Sequence, residues 1–123
     1  MASGRLEHVG LGVTPAKYEE LIAFYNRVFG WHLIKENPGD LAFIGDGEGG
    51  RIEIMSRDQP PLAPPHHLAF VVDDFDATTQ ALREAGATLQ EPLTNAFGDT
   101  LLFFTDPAGN YAQIIKRIEP LAR

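Results

Sequence analysis

The sequence predicts an α+β fold built from two βαβββ modules in tandem. The order of strand-like and helix-like segments in the first half recurs in the second half, and residues of matching type recur at a nearly constant separation. His67 follows His8 at almost the same separation at which Gln113 follows Glu53. The expected boundaries, all within one domain, are residues 1–57 for the first module, 58–65 for a proline-rich connector and 66–123 for the second module.

Composition restricts the class of function. Ten Lys and Arg residues against seventeen Asp and Glu give a net charge of −7, which argues against nucleic acid and anionic membrane as partners. The absence of cysteine excludes disulfides, thiolate metal sites and cysteine nucleophiles. The start, MASGRLE, lacks the apolar core of a signal peptide, and no apolar run approaches the length of a membrane span. We therefore expect a soluble cytoplasmic protein whose partner is a small molecule.

The first module begins with a strand, LEHVGLGV, and continues with a helix, TPAKYEELIAFYNRVFG. Thr14 suits the N-cap, Pro15 the first helical position and Gly30 the position just past the end. Apolar residues at helical spacing form one stripe along this segment: Tyr18, Leu21, Ile22, Tyr25, Val28 and Phe29. Three strands should follow, WHLIKE, DLAFIG and RIEIMS, the last two joined by the glycine-rich turn DGEGG.

The second module repeats this order. HHLAFVV predicts a strand, and DFDATTQALREAG predicts a helix with an acidic start and a terminal Gly86. TLQEPLTN, DTLLFFT and NYAQIIKR then predict three strands, with DPAGN as the turn between the last two. This turn begins with Asp106, at the position of the second module that matches Asp46, the first residue of DGEGG.

Alternation along a strand decides which histidine faces inward, because successive side chains point to opposite faces of a sheet. His67 shares a face with the small side chain of Ala69, whereas the bulky residues at 68, 70 and 72 occupy the face that should pack on the helix. His8 shares a face with Gly10 in the same way. Because small neighbours leave room, we expect His8 and His67 to face a pocket and His66 to lie near solvent on the helix side.

Glu53 and Gln113 occupy the inner face of the last strand of each module. Pairing across the two turns would place Phe43 opposite Glu53 and Phe103 opposite Gln113, so that both phenylalanines line the pocket. A carboxylate at such a position is unusual, because a buried charge needs a partner or a metal. Two imidazoles and two oxygen donors suit Zn, Ni, Co, Mn or Fe, with His8, Glu53, His67 and Gln113 as ligands. The alternative is an ordinary buried hydrogen-bond cluster without a metal.

Several other residues should lie on the same sheet face as Glu53 or Gln113. They include Arg51 and Arg117. Most charged residues at the ends of strands are simply solvated. The substrate-contact candidates are Phe43, Phe103, Tyr111, Met55 and Arg57.

Five segments carry a family resemblance: LEHVGLGV, AFYNRVFGW, GGRIEIM, HHLAFVVDDFDA and FFTDPAGNYAQIIKR. Through them the chain resembles the vicinal oxygen chelate superfamily, which includes glyoxalases, bleomycin resistance proteins and extradiol dioxygenases. The resemblance implies that the modules form an open, curved, eight-stranded mixed sheet around a pocket, usually in a homodimer. It also implies a divalent metal at His8, Glu53, His67 and Gln113.

Individual positions restrict the reaction that the resemblance implies. Extradiol dioxygenases and fosfomycin-resistance enzymes carry a carboxylate on the final strand, where this chain has Gln113. Glyoxalase I enzymes of similar length carry an arginine four residues past the first ligand and an asparagine four residues past the second. This chain has Gly12 and Arg57 there, which leaves the use of glutathione open. The set His, Glu, His, Gln is similar to that of methylmalonyl-CoA epimerase with the two halves exchanged.

Together, the resemblance and the four polar residues predict a metal-dependent lyase or isomerase of the glyoxalase type that acts next to a carbonyl of a small oxygenated substrate. Glu53, the only carboxylate of the four, is the expected proton carrier. One alternative is a metal-free protein that binds a small molecule such as an antibiotic. An extradiol dioxygenase is a less favoured alternative because of Gln113.

Overall fold

The computed structural model describes residues 2–122. These residues form two compact units, one ending at Pro61 and one beginning at Leu62. Each unit carries one α-helix and one mixed β-sheet, so the predicted α+β class is confirmed. The first unit contains β1 (Val9–Val13), α1 (Tyr18–Phe29), β2 (His32–Asn37), β3 (Leu41–Gly45) and β4 (Arg51–Ser56). The second contains β5 (Leu68–Val71), α2 (Phe75–Glu84), β6 (Thr88–Leu89), β7 (Leu93–Thr94), β8 (Thr100–Thr105) and β9 (Tyr111–Lys116).

The sheet of the first unit has the strand order β1-β4-β3-β2. β1 runs parallel to β4, and the other neighbouring strands are antiparallel. Phe43 on β3 lies opposite Glu53 on β4, which confirms the predicted register, and Gly10 on β1 flanks Glu53 from the other side. Glu53 is therefore on a central strand, between an aromatic residue and a glycine.

A β-bulge interrupts the alternation of faces along β2. Leu33 pairs with Ile44 and Lys35 pairs with Phe43, so Ile34 is an extra residue between two consecutive pairs. Leu33 and Lys35 would share a face in a regular strand, but the bulge places them on opposite faces. Lys35 consequently lies on the face that carries Phe43.

Helix α1 begins later than the sequence predicted. A single 3-10 turn, Pro15–Lys17, precedes it, closed by a 2.9 Å hydrogen bond from the Lys17 N–H to the Thr14 carbonyl. Thr14 is the N-cap of this turn and Pro15 is its first residue, as predicted, but the Thr14 side chain makes no cap hydrogen bond. The helix ends as predicted, with Gly30 at φ 71°, a left-handed conformation that glycine adopts without a steric cost.

The face of the first sheet that packs on α1 forms the core of this unit. Its buried apolar residues are Leu11, Val13, Tyr18, Leu21, Phe24, Tyr25, Ala42, Ile44, Ile52 and Ile54. Phe24 is buried although the predicted stripe omitted it. Val9 shares this face by alternation but is 37% exposed, because it is the first residue of a strand at the edge of the sheet.

The sheet of the second unit has the order β5-β9-β8-β6, and β7 also pairs with β8. The segment TLQEPLTN, predicted as a single strand, forms two strands of two residues each. Pro92 lies between them and has no N–H to donate, so the ladder is interrupted there. The described residues therefore hold nine strands in two sheets, where eight strands were predicted. A single curved sheet around a pocket stays a prediction.

The second unit places its last strand as predicted. Phe103 on β8 lies opposite Gln113 on β9, and Ala69 on β5 flanks Gln113 from the other side. Helix α2 packs on β6 and β9, and its start is capped by Asp74, whose carboxylate accepts a 3.0 Å hydrogen bond from the Ala77 N–H. Neither helix within residues 2–122 is long and apolar enough to cross a membrane.

Asp46 and Asp106, which occupy matching positions in the two units, have the same structural role. Asp46 accepts hydrogen bonds from the backbone N–H groups of Glu48 and Gly50, in the loop between β3 and β4. Asp106 accepts them from the N–H groups at positions 108 and 110, in the loop between β8 and β9. Because each aspartate fixes its hairpin loop, it also sets the register that brings a phenylalanine opposite the polar residue of the last strand.

Candidate functional site

In the first unit, His8 and Glu53 form a pair of donors on the sheet face that does not pack on α1. His8 lies one residue before β1, and Glu53 lies on the neighbouring strand β4. His8 Nε2 and Glu53 Oε1 are 3.6 Å apart, and the two side chains are 33% and 19% exposed. The other ring nitrogen, His8 Nδ1, is 3.0 Å from Glu7 Oε1.

The contact with Glu7 decides which nitrogen of His8 faces Glu53. A carboxylate only accepts hydrogen bonds, so His8 Nδ1 carries a proton and donates it to Glu7. In a neutral imidazole the lone pair is then on Nε2, directed at a carboxylate oxygen. Two acceptors in this arrangement repel each other unless a proton or a cation lies between them. The pair is therefore suited to a cation, either a proton on Nε2 or a metal ion.

A glycine and an aromatic ring border this pair. A Cβ atom at Gly10 would lie 3.1 Å from Met55 Cε and 3.7 Å from Glu53 Oε1, so glycine leaves space beside the carboxylate. The Phe43 ring meets the His8 ring edge-on, with centroids 5.2 Å apart. Two of the predicted substrate-contact residues, Phe43 and Met55, thus lie next to the His8–Glu53 pair.

The second unit repeats the arrangement with His67 and Gln113. His67 Nδ1 is 2.9 Å from the Pro65 carbonyl oxygen, which only accepts, so Nδ1 again carries the proton. His67 Nε2 is 2.7 Å from Gln113 Nε2 and accepts a hydrogen bond from the amide. Both histidines are therefore fixed through Nδ1 and present Nε2 to a side chain that carries an oxygen, as metal-binding histidines do.

The Gln113 side chain contains an unsatisfied oxygen. Gln113 is 8% exposed, and its Oε1 has no hydrogen-bond partner within residues 2–122. A buried amide oxygen without a partner costs about 1–3 kcal/mol. Rotation of the amide by about 180° exchanges oxygen and nitrogen, and would place the oxygen beside the His67 lone pair. In that orientation a cation between the two atoms would satisfy both of them.

Aromatic rings border the second pair more extensively than the first. Phe103 meets the His67 ring edge-on at 5.6 Å between centroids, and Tyr111 does so at 6.3 Å. Phe103 and Tyr111 are stacked in parallel, 4.7 Å apart with an angle of 3° between the rings. The predicted substrate-contact residues of this unit, Phe103 and Tyr111, therefore form a stacked aromatic pair beside His67.

Arg57, the remaining predicted substrate contact, is engaged elsewhere. Its Nη1 donates to Asp40 Oδ1 at 2.8 Å and to the Ser56 carbonyl at 2.9 Å. The hydrogen bonds from Arg57 and from Asn37 lower the pKa of the Asp40 carboxyl below its usual value. These two bonds use only Nη1, so the ion pair holds Arg57 beside Asp40 and leaves its other N–H groups for a substrate.

The first unit also contains a cavity of about 610 Å³ that the sequence did not predict. Its lining residues are Arg5, Leu6, Glu7, Ile34, Lys35, Phe43, Gly49 and Arg51. The bulge in β2 brings Lys35 to the Phe43 face, and Gly45 leaves room for Ile34, whose Cδ1 would lie 2.6 Å from a Cβ at that position. The alternation of side chains in the sequence does not predict which residues line this cavity. The bulge in β2 exchanges the two sheet faces for the residues that follow it.

The donor pairs can be compared with the spacing of two ligands on one divalent metal. Two ligands bound at about 2.1 Å and separated by roughly 90–110° lie about 3.0–3.4 Å apart. The 3.6 Å between His8 Nε2 and Glu53 Oε1 is slightly longer than this range. In the second pair the atom 2.7 Å from His67 Nε2 is the amide nitrogen of Gln113, so the amide has to rotate before its oxygen and His67 Nε2 could bind one ion. Across residues 2–122 there is no group of three or more His, Cys, Asp and Glu side chains placed to hold a metal. Each unit by itself offers two donors.

Comparison with known proteins places the chain in a family. The model of the Glyoxalase/Bleomycin resistance protein/Dioxygenase superfamily matches residues 5–114, a stretch that includes both donor pairs. The chain belongs to this superfamily. The resemblance predicted from the sequence is thereby confirmed, and so is its coarse consequence, a glyoxalase-type α+β fold.

Several known proteins are similar to this chain over most of its length. A protein named probable lactoylglutathione lyase from Vibrio parahaemolyticus is 30% identical over 130 residues, which cover 94% of this chain and 93% of the relative. A glyoxalase/bleomycin resistance protein/dioxygenase family enzyme from Burkholderia phytofirmans has a TM-score of 0.76 at 21% identity, with 92% of this chain and 98% of that chain covered. Lactoylglutathione lyase from Agrobacterium tumefaciens has a TM-score of 0.70 at 18% identity, with coverages of 94% and 96%. The two structural likenesses show the fold alone.

Proposed function

We propose that this protein is a metal-dependent lyase or isomerase of the glyoxalase type, acting next to a carbonyl of a small oxygenated substrate. The observation that carries the proposal is the donor pair of each unit. In both pairs a histidine is fixed through Nδ1 and directs Nε2 at a side chain that carries an oxygen. The relative named probable lactoylglutathione lyase supports the reaction class.

The proposed metal ligands are His8, Glu53, His67 and Gln113, and the ion is Zn, Ni, Co, Mn or Fe. When bound, such an ion supplies a Lewis acid that polarises a carbonyl oxygen. The chain itself orients the two imidazoles, through Glu7 for His8 and through the Pro65 carbonyl for His67. These hydrogen bonds fix the tautomer that keeps the Nε2 lone pairs available for the ion.

Glu53 is the proposed proton carrier. A carboxylate can take a proton from the carbon next to a carbonyl and return it to a neighbouring carbon, whereas the amide of Gln113 can do neither at neutral pH. The space left by Gly10 gives a substrate access to Glu53 Oε1, and Phe43 borders it on β3. The two oxygen-bearing side chains thus have different roles, with Glu53 active in proton transfer and Gln113 restricted to binding.

The aromatic residues are the proposed contacts for the apolar part of the substrate. Phe43 and Met55 lie beside the His8–Glu53 pair, and the stacked rings of Phe103 and Tyr111 lie beside His67. Side chains of this kind exclude water from the carbonyl, which strengthens the interactions of its polar atoms.

Metal content tests the ligand assignment directly. After mild reloading and removal of free metal, elemental analysis should find close to one equivalent per chain. His67→Gln should lower the metal content strongly, whereas His66→Gln, which alters the exposed neighbouring histidine, should leave it unchanged. Less than about a tenth of an equivalent in the unaltered protein would contradict the proposal, since such sites bind with micromolar affinity or better.

Activity tests the reaction class. The metal-loaded protein should turn over a member of one of two substrate groups, thiohemiacetals of 2-oxoaldehydes or epimers of acyl-CoA thioesters, with defined divalent metals added in turn. Oxygen uptake with a catechol and iron would instead indicate a dioxygenase.

A metal-free binding protein is the second candidate, and the hydrogen bond between Gln113 and His67 favours it. At 2.7 Å this bond satisfies the His67 lone pair without any ion. Such a protein would use the stacked rings of Phe103 and Tyr111 as its contact for the ligand, and the donor pairs would have a structural role only. It would bind no metal and turn over none of the substrates above.

A further inference from the structure

The cavity in the first unit is positively charged in a protein of net charge −7. Arg5, Lys35 and Arg51 line it together with a single carboxylate, Glu7. Within residues 2–122 none of these three cations forms an ion pair with an Asp or Glu side chain. Glu7 accepts its hydrogen bond from the His8 ring and not from a cation of the cavity. The three positive charges are therefore available to a ligand.

Arg51 contacts the backbone through one donor only, which leaves most of its donors free. Its Nη1 donates to the Glu7 carbonyl at 3.4 Å, and a guanidinium has four further N–H groups. Lys35 reaches the same face only because of the bulge in β2. β-Bulges are over-represented next to active sites, where they redirect a side chain.

The second unit does not repeat this charge. At the position that matches Arg51, the first residue of β4, the second unit has Tyr111, the first residue of β9, whose ring stacks on Phe103. The donor residues recur in both units, but the cation beside them does not. The charge of the cavity is thus a feature of the first unit and not a consequence of the repeated fold.

We propose that this cavity binds the anionic group, a carboxylate or a phosphate, of the substrate. Phe43 connects it to the candidate site, because its ring lines the cavity and also meets the His8 ring at 5.2 Å. An anion held by Arg51 and Lys35 would thus place the attached carbon skeleton against Phe43, beside Glu53. A volume of about 610 Å³ is within the range of small-molecule sites. The assignment rests on the proposed function, since it names the substrate class of the same site.

The test compares anionic and neutral probes that share one aromatic ring. Phenylacetate, phenyl phosphate and the neutral phenylacetamide are titrated into the chain of 123 residues, and binding is followed by the backbone amide NMR shifts of residues that line the cavity. At least one anion should bind about tenfold more tightly than phenylacetamide. The anion that binds distinguishes a carboxylate substrate from a phosphate substrate. Equal affinity for all three probes would overturn the assignment.

Variants that each remove one positive charge show which residues bind the anion. Arg51→Gln and Lys35→Gln should each weaken binding of the anion about fivefold, as expected for one charge-assisted hydrogen bond at a partly solvated site, and leave phenylacetamide unaffected. Arg27→Gln, an exposed change of the same charge at the end of α1, should leave anion binding unchanged. Equal losses in all three variants would indicate general electrostatic attraction and overturn the assignment. Because no metal is added and no turnover is measured, this result is independent of the metal content that tests the proposed function.

Discussion

At the level of single residues, the candidate site depends on which atom of each side chain faces which neighbour. His66 and His67 are adjacent, but only the His67 ring contacts Gln113 and Phe103. The alternation of side chains along a strand likewise separates Glu53 and Gln113 from the apolar residues on either side of them. Those apolar residues are buried in the cores. A carboxylate and an amide, similar in size and shape, then occupy matching positions with different chemical capacities.

Replacement of Glu53 by glutamine separates proton transfer from assembly of the site. Glu53→Gln keeps the size and one oxygen of the side chain but cannot accept a proton, so turnover should fall roughly a hundredfold or more. Metal content should stay near that of the unaltered protein. Glu91→Gln, an exposed change of the same kind, serves as the control for net charge. Unchanged turnover with the metal retained would make Glu53 a scaffold residue and favour the binding-protein alternative.

The sequence predicted the residues of both donor pairs but not the charged cavity beside the first. His8, Glu53 and Gln113 follow from alternation and repeat spacing, because β4 and β9 are regular and their hairpin loops are fixed by aspartates. Lys35 does not follow, because the bulge at Ile34 reverses the phase of β2. A bulge depends on packing across the sheet, which a single sequence does not display.

At the level of helices and strands, the structure differs from the prediction at two places. In one a backbone carbonyl closes a turn before the helix, and in the other a proline lacks the N–H that a strand needs. The Thr14 carbonyl closes a 3-10 turn, and α1 therefore begins at Tyr18 and not at Pro15. Pro92 interrupts the strand predicted between α2 and β8. The long amphipathic helices and the hairpins were predictable, because many residues contribute to each pattern.

A hydrogen bond from Tyr18 connects α1 to β2, and the pKa of this tyrosine is raised. The Tyr18 hydroxyl is buried and donates to Glu36 Oε2 at 3.1 Å, and burial, followed by this bond, raises the pKa of Tyr18 to about 12. A group whose pKa is higher in the folded state stabilises the fold fully below the unfolded value of about 10. That stabilisation is lost as the pH rises from there through about 12.

Tyr18→Phe should therefore lower the free energy of unfolding by roughly 1.5–3 kcal/mol at neutral pH, the contribution of a hydrogen bond to a charged acceptor. The difference from the unaltered protein should shrink above pH 10, and urea denaturation at a series of pH values measures it. Glu36→Gln keeps an acceptor but removes the charge, so an ultraviolet titration of this variant should show a lower pKa for Tyr18. A stability difference that does not change with pH would contradict this account.

At the level of the whole molecule, the exposed apolar side chains on the edges of the two sheets predict self-association. Leu33 and Ile34 on β2 are 48% and 49% exposed, and Val71 on β5 is 71% exposed. β2 and β5 are each the terminal strand of a sheet, and edge strands present unpaired backbone groups that proteins cover. The superfamily resemblance implied a homodimer on independent grounds.

Light scattering at micromolar concentration should accordingly give about twice the chain mass of 13.5 kDa. Val71→Glu and Leu33→Glu place a charge on an edge strand, and at least one of them should shift the mass toward the monomer because a buried charge opposes association. Leu121→Glu is the matched control, since Leu121 is 71% exposed but lies outside every strand. Circular dichroism verifies that each variant is folded. A monomeric mass for the unaltered protein would contradict the dimer, but it would leave the fold and both donor pairs unaffected, because each pair is formed within one unit.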